Sequence, residues 1–501
     1  MERRATPSFI HNWVSLAGIV LAASSFFAVA LLIAIDFMRG FRNPYLGILT
    51  YIVAPAFLIG GLLLIAIGAW RERRRRRRLR PGEIPAYPRL DLNSPHDRKT
   101  LILVVVLTAV FLLSTAVGSY RTYHFTESVA FCGKTCHKIM SPEYTAYQES
   151  PHARVICVQC HIGSGASWFV KSKLSGSYQV YAALANKYPR PIPTPIQNLR
   201  PARETCEACH WPREFFGAVE SRFDHYLPDE QNTLWTIQML LKVGGGDPGF
   251  GDVGGIHWHM AIANKIEYIA SDKQRQTMPW VRMTDQKGHV TVFESTDHPL
   301  TAEQIAAATP RVMDCIDCHN RPTHIYHTPV ESVNLALQTG RIPRAIPHIK
   351  EQAVHVLLGK YSTTPEAESS ISDTLKNYYR KQLPAFADSS GALIAAAIRE
   401  TQAIYTHNFF PVMKVDWRAH PDNVGHKNSP GCFRCHDGSH TSADGKAITH
   451  QCNACHTIIV QGATGQEESS VDGLEFKHPV DIDEAWKEMN CFDCHDGSMT
   501  G

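Results

Sequence analysis

Fourteen cysteines in a chain of 501 residues fall into seven pairs, and a histidine follows the second member of every pair. The groups are Cys132, Cys136, His137; Cys157, Cys160, His161; Cys206, Cys209, His210; Cys315, Cys318, His319; Cys432, Cys435, His436; Cys452, Cys455, His456; and Cys491, Cys494, His495. Six have the C-x-x-C-H spacing of covalent haem attachment, and the first, within FCGKTCHKIM, is longer by one residue. In that chemistry two thiols add across the haem vinyl groups while the adjacent histidine ligates the iron. The short spacing is required because both sulfurs and the imidazole must belong to one tight turn. Structural zinc sites combine two such pairs, or a pair with two spaced histidines, and need no histidine directly after every second cysteine. Disulfides suit an exported chain but leave the repeated histidine without a reason. Seven covalently attached haem c groups are expected.

Each iron also needs a sixth ligand or an open position. Two protein ligands suit electron transfer, whereas an open position admits a substrate. Of 26 histidines, seven follow the cysteine pairs and His11 and His96 lie at or before the apolar segments, so 17 remain for seven sites. The best placed stand just upstream of another motif, where a compact chain can offer them to a neighbouring haem: His152, His426, His450 and His478. His257 or His259 in GGIHWHM, His324 in CHNRPTHIYH and His440 in CHDGSH come next. Met140, three residues after His137, is a candidate of another kind, because methionine ligation raises the haem potential.

Three apolar segments precede the first motif: residues 13 to 35, 45 to 70 and 101 to 119. A hydrocarbon core takes about 20 helical residues, so each is expected to span, with a kink at Pro55 in the second. The first is longer than the apolar core of a cleaved signal peptide and is expected to stay as an anchor. RERRRRRRLR, residues 71 to 80, puts eight arginines between the second and third segments. Excess positive charge remains cytoplasmic, which sends the third span outward and exports residues 120 to 501. Beside two apolar segments the arginine run reads as a topological and anionic-lipid signal, and no nucleic-acid partner is expected. Residues 1 to 118 hold 15 of the 50 Lys and Arg and 6 of the 47 Asp and Glu, so the exported part is acidic, at 35 against 41. That balance favours a basic docking partner.

The expected fold is a membrane-anchored multihaem cytochrome c, with three transmembrane helices followed by a mainly α, loop-rich periplasmic haem domain. Its parts are an anchor over 1–119 with a cytoplasmic Arg-rich loop at 71–100, a haem domain over 120–330 carrying haems one to four, and a C-terminal trihaem region over 331–501 with a helical linker. Large porphyrins should take the place of much side-chain core. Helices are predicted over 351 to 360, 366 to 382 and 390 to 405, a hairpin over 276 to 295 turning at Asp285 to Gly288, an extended proline-rich strap over 184 to 202, and a polar loop over 461 to 475.

The anchor, the first motif with its nearby Met140, and the run ESPHARVICVQCHIG resemble the NapC/NirT/NrfH family of membrane-bound multihaem quinol dehydrogenases, most closely over roughly 100 to 210. The longer pattern of WFVKSKLSG, YPRPIPTP, ETCEACHWP, MDCIDCHNRPTH and PGCFRCHDG is similar to seven-haem inner-membrane cytochromes of metal-reducing and other anaerobically respiring bacteria. The resemblance implies oxidation of menaquinol beside the first haem and delivery of electrons to a periplasmic cytochrome or reductase, from a multi-pass protein of the bacterial inner membrane. It implies that Lys173, with Lys171 close by, belongs to the quinol pocket, and that Met140 takes the place of His137 on the first iron, as in some relatives. The family's acidic partner is replaced here by LSGSYQV, leaving Glu143 and Glu149 as candidate proton acceptors. Competing readings are a relay subunit without its own quinol site and a terminal reductase with one open haem.

Overall fold

The computed structural model describes residues 9–10, 12–38, 54–78, 91–136, 138–162, 166–196, 201–211, 215–245, 254–260, 264–285 and 287–498. It divides into two compact units, one formed by 1–132 with 156–184 and the other by 133–155 with 185–501.

In the first unit, helices α1 (Trp13–Met38) and α2 (Ala54–Arg76) are both long and apolar enough to cross a membrane. They pack through small residues. A Cβ on Gly61 would stand 2.6 Å from the Ala22 nitrogen, and one on Gly18 would stand 2.7 Å from the Ile65 nitrogen. Ser15 Oγ also donates to the Ile65 carbonyl at 3.2 Å. Close backbone approach of this kind is how apolar helices associate where burial from water gives no driving force. Pro55 is the second described residue of α2, and residues 45 to 53 of the second apolar segment, with the backbone a kink at Pro55 would bend, lie outside the described residues. The arginine run is not all loop, since α2 continues through Arg76, with Glu72 pairing with Arg76 at 2.9 Å. The third apolar segment lies inside one unbroken 32-residue helix, α3 (Pro95–Thr126), roughly 48 Å long at the usual rise. A further helix, α4 (Ala166–Leu184), carries the two lysines singled out above.

The second unit corrects the mainly α expectation. It contains two antiparallel sheets: β1 (Val219–Tyr226), β2 (Leu234–Leu241), β8 (His456–Ala463) and β9 (Glu468–Leu474) in the order β1-β2-β8-β9, and β3 (Lys265–Ile269), β4 (Trp280–Thr284), β5 (Val290–Ser295), β6 (Arg311–Val312) and β7 (His440–Ser442) in the order β6-β3-β4-β5-β7. The β4–β5 hairpin is where the alternation placed it. The polar stretch 461 to 475 is not a loop: β8 turns into β9, with Val460 opposite Ser469. Strand β9 is polar and largely exposed, so backbone pairing with β8, and not an apolar pattern, makes it a strand. Strand β2, LWTIQMLL, alternates apolar and polar residues only over Trp235 to Met239 and ends in an apolar pair.

The stretch without cysteines after the fourth motif builds a helical core from α5 (Pro329–Gln338), α6 (Ile349–Leu357), α7 (Thr364–Gln382) and α8 (Gly391–Asn408). Thr328 and Glu331 form a reciprocal capping box at the start of α5, and Thr363 accepts from the Glu366 N–H at the start of α7. Ala367, Ile371, Leu375 and Tyr379 recur every fourth residue along one buried stripe of α7, facing Val333, Ile349, Ala353 and Ile398 in the same cluster. Within the proline-rich stretch, residues 187–196 hold no regular element and bend at 190–191 and 194–195, and residues 197–200 lie outside the described residues.

Candidate functional site

The cysteine motifs take the geometry that their spacing demands. Cys157–His161, Cys315–Cys318, Cys452–Cys455 and Cys491–Cys494 are each one helical turn. The histidine N–H donates to the carbonyl of the first cysteine at 2.7 Å in the third motif, 2.8 Å in the fourth and seventh, and 3.1 Å in the fifth. Two thiols and an imidazole thus leave a single turn. The sheets set where several of these turns sit. The fourth motif follows β6, the fifth precedes β7, and His456 is the first residue of β8.

Five motif histidines face a second imidazole. Ring centroids lie 5.9 Å apart for His152 and His210, 6.3 Å for His257 and His319, 5.7 Å for His259 and His436, 6.2 Å for His426 and His456, and 5.9 Å for His478 and His495. Metal–nitrogen bonds of about 2 Å on both sides of one ion put two imidazole centroids roughly 6 Å apart. The donor set therefore fits an iron held between two histidines. Carbonyl oxygens fix the orientation of half of these ten rings: Nδ1 lies 3.2 Å from Pro322 O in His152, 2.6 Å from Val243 O in His257, 2.8 Å from Ile256 O in His259, 2.6 Å from Thr449 O in His436 and 2.8 Å from Val480 O in His478. A hydrogen on Nδ1 leaves the Nε2 lone pair for a metal. Nδ1 of His426 and of His456 are buried with no hydrogen-bond partner among the described residues. Burial pushes His259, His319, His426, His436, His456 and His495 below the ordinary histidine value, which keeps them neutral. Phe215 and Phe433 lie almost parallel to His257 and His426, each at 4.2 Å, and hold those rings in place.

The other sequence candidates are placed differently. His440 is buried, with Nδ1 on Asp437 Oδ1 and Nε2 on the Met278 carbonyl, both at 2.8 Å, so neither nitrogen is left for a metal. His450 is exposed and packs against Gly438, whose φ of +81° admits no side chain there without strain. His324 holds Nδ1 to the Glu143 carbonyl at 2.9 Å, the same tie that orients the paired rings. Met140 ends a short 3-10 turn and is half-buried. His137 and the side chains of Cys136 and Lys173 lie outside the described residues. Lys171 is exposed on α4 with its ammonium 4.7 Å over the Trp168 ring. Glu143 pairs with Arg321 at 2.8 Å; burial alone would raise its pKa, but Arg321 and His324 outweigh that and hold it below the glutamate range. Glu149 pairs with His407, also at 2.8 Å. The partner of His319 is the ligand that sequence reasoning left undecided; GGIHWHM offers two histidines, and both stand opposite motif histidines, on two different motifs.

The motifs also fall into an order. The Cys132 and Cys157 thiols interact directly, as do Cys206 and Cys315. Cys318 acts electrostatically on Cys435 and is acted on by Cys432; Cys432 acts on Cys455, and Cys452 on Cys491. Within the second unit the third to seventh motifs therefore run in sequence order, each beside the next. A backbone link joins two of them, since Arg434 Nη2, inside the fifth motif, donates to the carbonyl of Asp317, inside the fourth, at 2.6 Å.

Comparison with known proteins points the same way. The sequence model for the NapC/NirT cytochrome c family, N-terminal region, matches residues 94–191. The chain is 45% identical over 495 residues to the cytochrome c-type protein ImcH of Geobacter sulfurreducens, an alignment that covers 99% of this chain and 97% of that one. No solved structure matches it.

Proposed function

Because this chain belongs to the NapC/NirT cytochrome c family, whose members are membrane-anchored electron-transfer proteins with covalently bound haem c, we propose that it oxidises menaquinol at the bacterial inner membrane and delivers the electrons to a periplasmic cytochrome or reductase. The reading is carried by the five imidazole pairs set along one row of adjoining motifs. Haem c held by the seven cysteine pairs would supply one-electron carriers in series.

The chain's own residues divide the remaining work. His210, His319, His436, His456 and His495 would hold the haem iron at the last five sites together with His152, His257, His259, His426 and His478, which face them. An iron held by two histidines suits electron passage and leaves no place for a substrate. At the first site Met140 would take the place of His137, and at the second His161 would be the ligand that follows the cysteine pair. Helices α1, α2 and α3 form the anchor, with the arginine run inside and the motifs outside. Lys173, with Lys171, is proposed for the quinol pocket. Quinol oxidation releases protons that some group must accept; Glu143 already pairs with Arg321 and Glu149 with His407, so either carboxylate would have to give up that contact to take a proton.

The test is stopped-flow absorbance of the full chain in lipid, mixed with a reduced menaquinol analogue. Rapid haem reduction in wild type that is lost at least tenfold in Lys173→Ala is expected. Full reduction by dithionite with none by quinol would replace the proposal with the relay-subunit reading.

A further inference from the structure

Between β1, the α5–α6 pair and the loop before the fifth motif, two lysines gather around one histidine. Lys350, on α6, is completely buried; its ammonium donates to the Val330 carbonyl at 2.9 Å and to Asn334 Oδ1 at 2.7 Å. The Asn334 amide nitrogen lies 3.2 Å from His225 Nδ1, and the Lys427 ammonium lies 3.4 Å from both His225 ring nitrogens. Among the described residues no carboxylate is in ion-pair reach of either lysine. Glu331, the acid whose charge reaches both, is engaged elsewhere: Oε2 accepts from the Thr328 N–H and Oε1 from the Asn428 amide. Nor does His225 complicate the count of charges, because burial and the two lysines hold its pKa down to about 3 and keep it neutral. Burial pulls Lys350 well below the ordinary lysine value by penalising its charged form, and an opposite charge close by would offset that.

Burying a cation with only neutral acceptors around it is costly, and proteins relieve the cost with an opposite charge. The last motif lies beside this cluster: Gly497, two residues after His495, packs against Thr328 at the start of α5, and Asn428, next to Lys427, donates to Glu331 of the same helix. Lys427 acts electrostatically on both Cys491 and His495, and His225 feels His495. A haem carries two propionate carboxylates, and a planar carboxylate is the anion that an ammonium beside an imidazole accommodates.

We infer that Lys427, backed through His225 and Asn334 by Lys350, forms a carboxylate-binding pocket that takes a propionate of the haem attached at Cys491 and Cys494. The inference rests on the haem reading above. A fixed positive charge beside that site favours its reduced form, so the last member of the row is tuned to hold the electron before it leaves the chain.

The experiment is a redox titration of the full chain in lipid, followed by absorbance and by electron paramagnetic resonance, on wild type, Lys427→Gln, Lys427→Met and Lys427→Arg, with haem per chain counted as the pyridine haemochrome. One component is expected to move to lower potential in the glutamine and methionine variants, with the other six fixed, and to return in the arginine variant. Replacing chloride by acetate or phosphate at constant ionic strength should leave the wild-type titration unchanged. An unchanged titration in both neutral variants overturns the pocket. A wild-type component that follows the added anion overturns the propionate as its occupant, leaving a site for free anions. Fewer than seven haems in wild type would instead overturn the haem reading, so the two failures are told apart.

Discussion

Imidazole orientation is set residue by residue, and two histidines with similar surroundings show how differently the same side chain is used. His257 has Nδ1 tied to a carbonyl and its ring opposite His319, whereas His440 has both nitrogens hydrogen-bonded inside the protein. Replacing His257 by glycine should turn one ferric haem from low-spin to high-spin, seen by electron paramagnetic resonance, without loss of haem. Replacing His440 by alanine should leave every spin state unchanged and instead lower stability by about 1–3 kcal/mol, the cost of orphaning buried partners, measured as a fall in the urea midpoint. A spin-state change in His440→Ala would mean that the observed hydrogen bonds give way to iron.

At the scale of elements, the α1–α2 pair depends on backbones that nearly touch. Gly61 and Gly60 are neighbours in sequence but not in environment: a Cβ at 61 would sit 2.6 Å from the Ala22 nitrogen, while one at 60 meets nothing within 4 Å. Gly61→Val should therefore separate the helices and abolish recovery of a monodisperse protein in detergent, whereas Gly60→Ala should be recovered as wild type. Equal behaviour of the two variants would show that α1 and α2 do not pack in the membrane as described. The helices of the haem-free core were legible in sequence because apolar spacing and threonine caps act within a few residues, as in Thr363 with Glu366 and the stripe from Ala367 to Tyr379. The sheets were not. Strand β2 alternates over only five residues, Trp235 to Met239, and β9 is mostly polar with Val471 and Leu474 as its apolar side chains, so each is defined chiefly by its partner across the sheet.

For the whole molecule, Asp317 joins parts that are far apart in the chain. Its carboxylate accepts from Tyr268 of β3 at 2.8 Å, Arg275 at 2.9 Å and Arg311 of β6 at 3.1 Å, while its carbonyl receives Arg434 of the fifth motif. The side chain is 1% exposed, but that of Arg311 is 38% exposed. Asp317→Asn should therefore cost about 3 kcal/mol, the lower end of the range for a broken buried pair, read as a drop in the urea midpoint. Because the same residue holds two adjoining motifs in register, the variant should also broaden the redox titration of the fourth and fifth haems. A variant as stable as wild type would show that the arginines find other partners.

The sequence by itself determined the seven cysteine pairs with their following histidines, and those at Cys157, Cys315, Cys452 and Cys491 each form one α-helical turn. It also determined the apolar helices, the helical core and the family, all of which follow from local spacing or from runs of matching residues. Only the tertiary structure decided which histidine stands opposite which motif. His152 precedes the second motif yet faces His210 of the third, His426 precedes the fifth yet faces His456 of the sixth, and His257 and His259, one residue apart, face the fourth and fifth. Those pairings join positions up to 177 residues apart, between His259 and His436. Sheet register and the packing of turns fix such distances, and no local pattern along the chain encodes them.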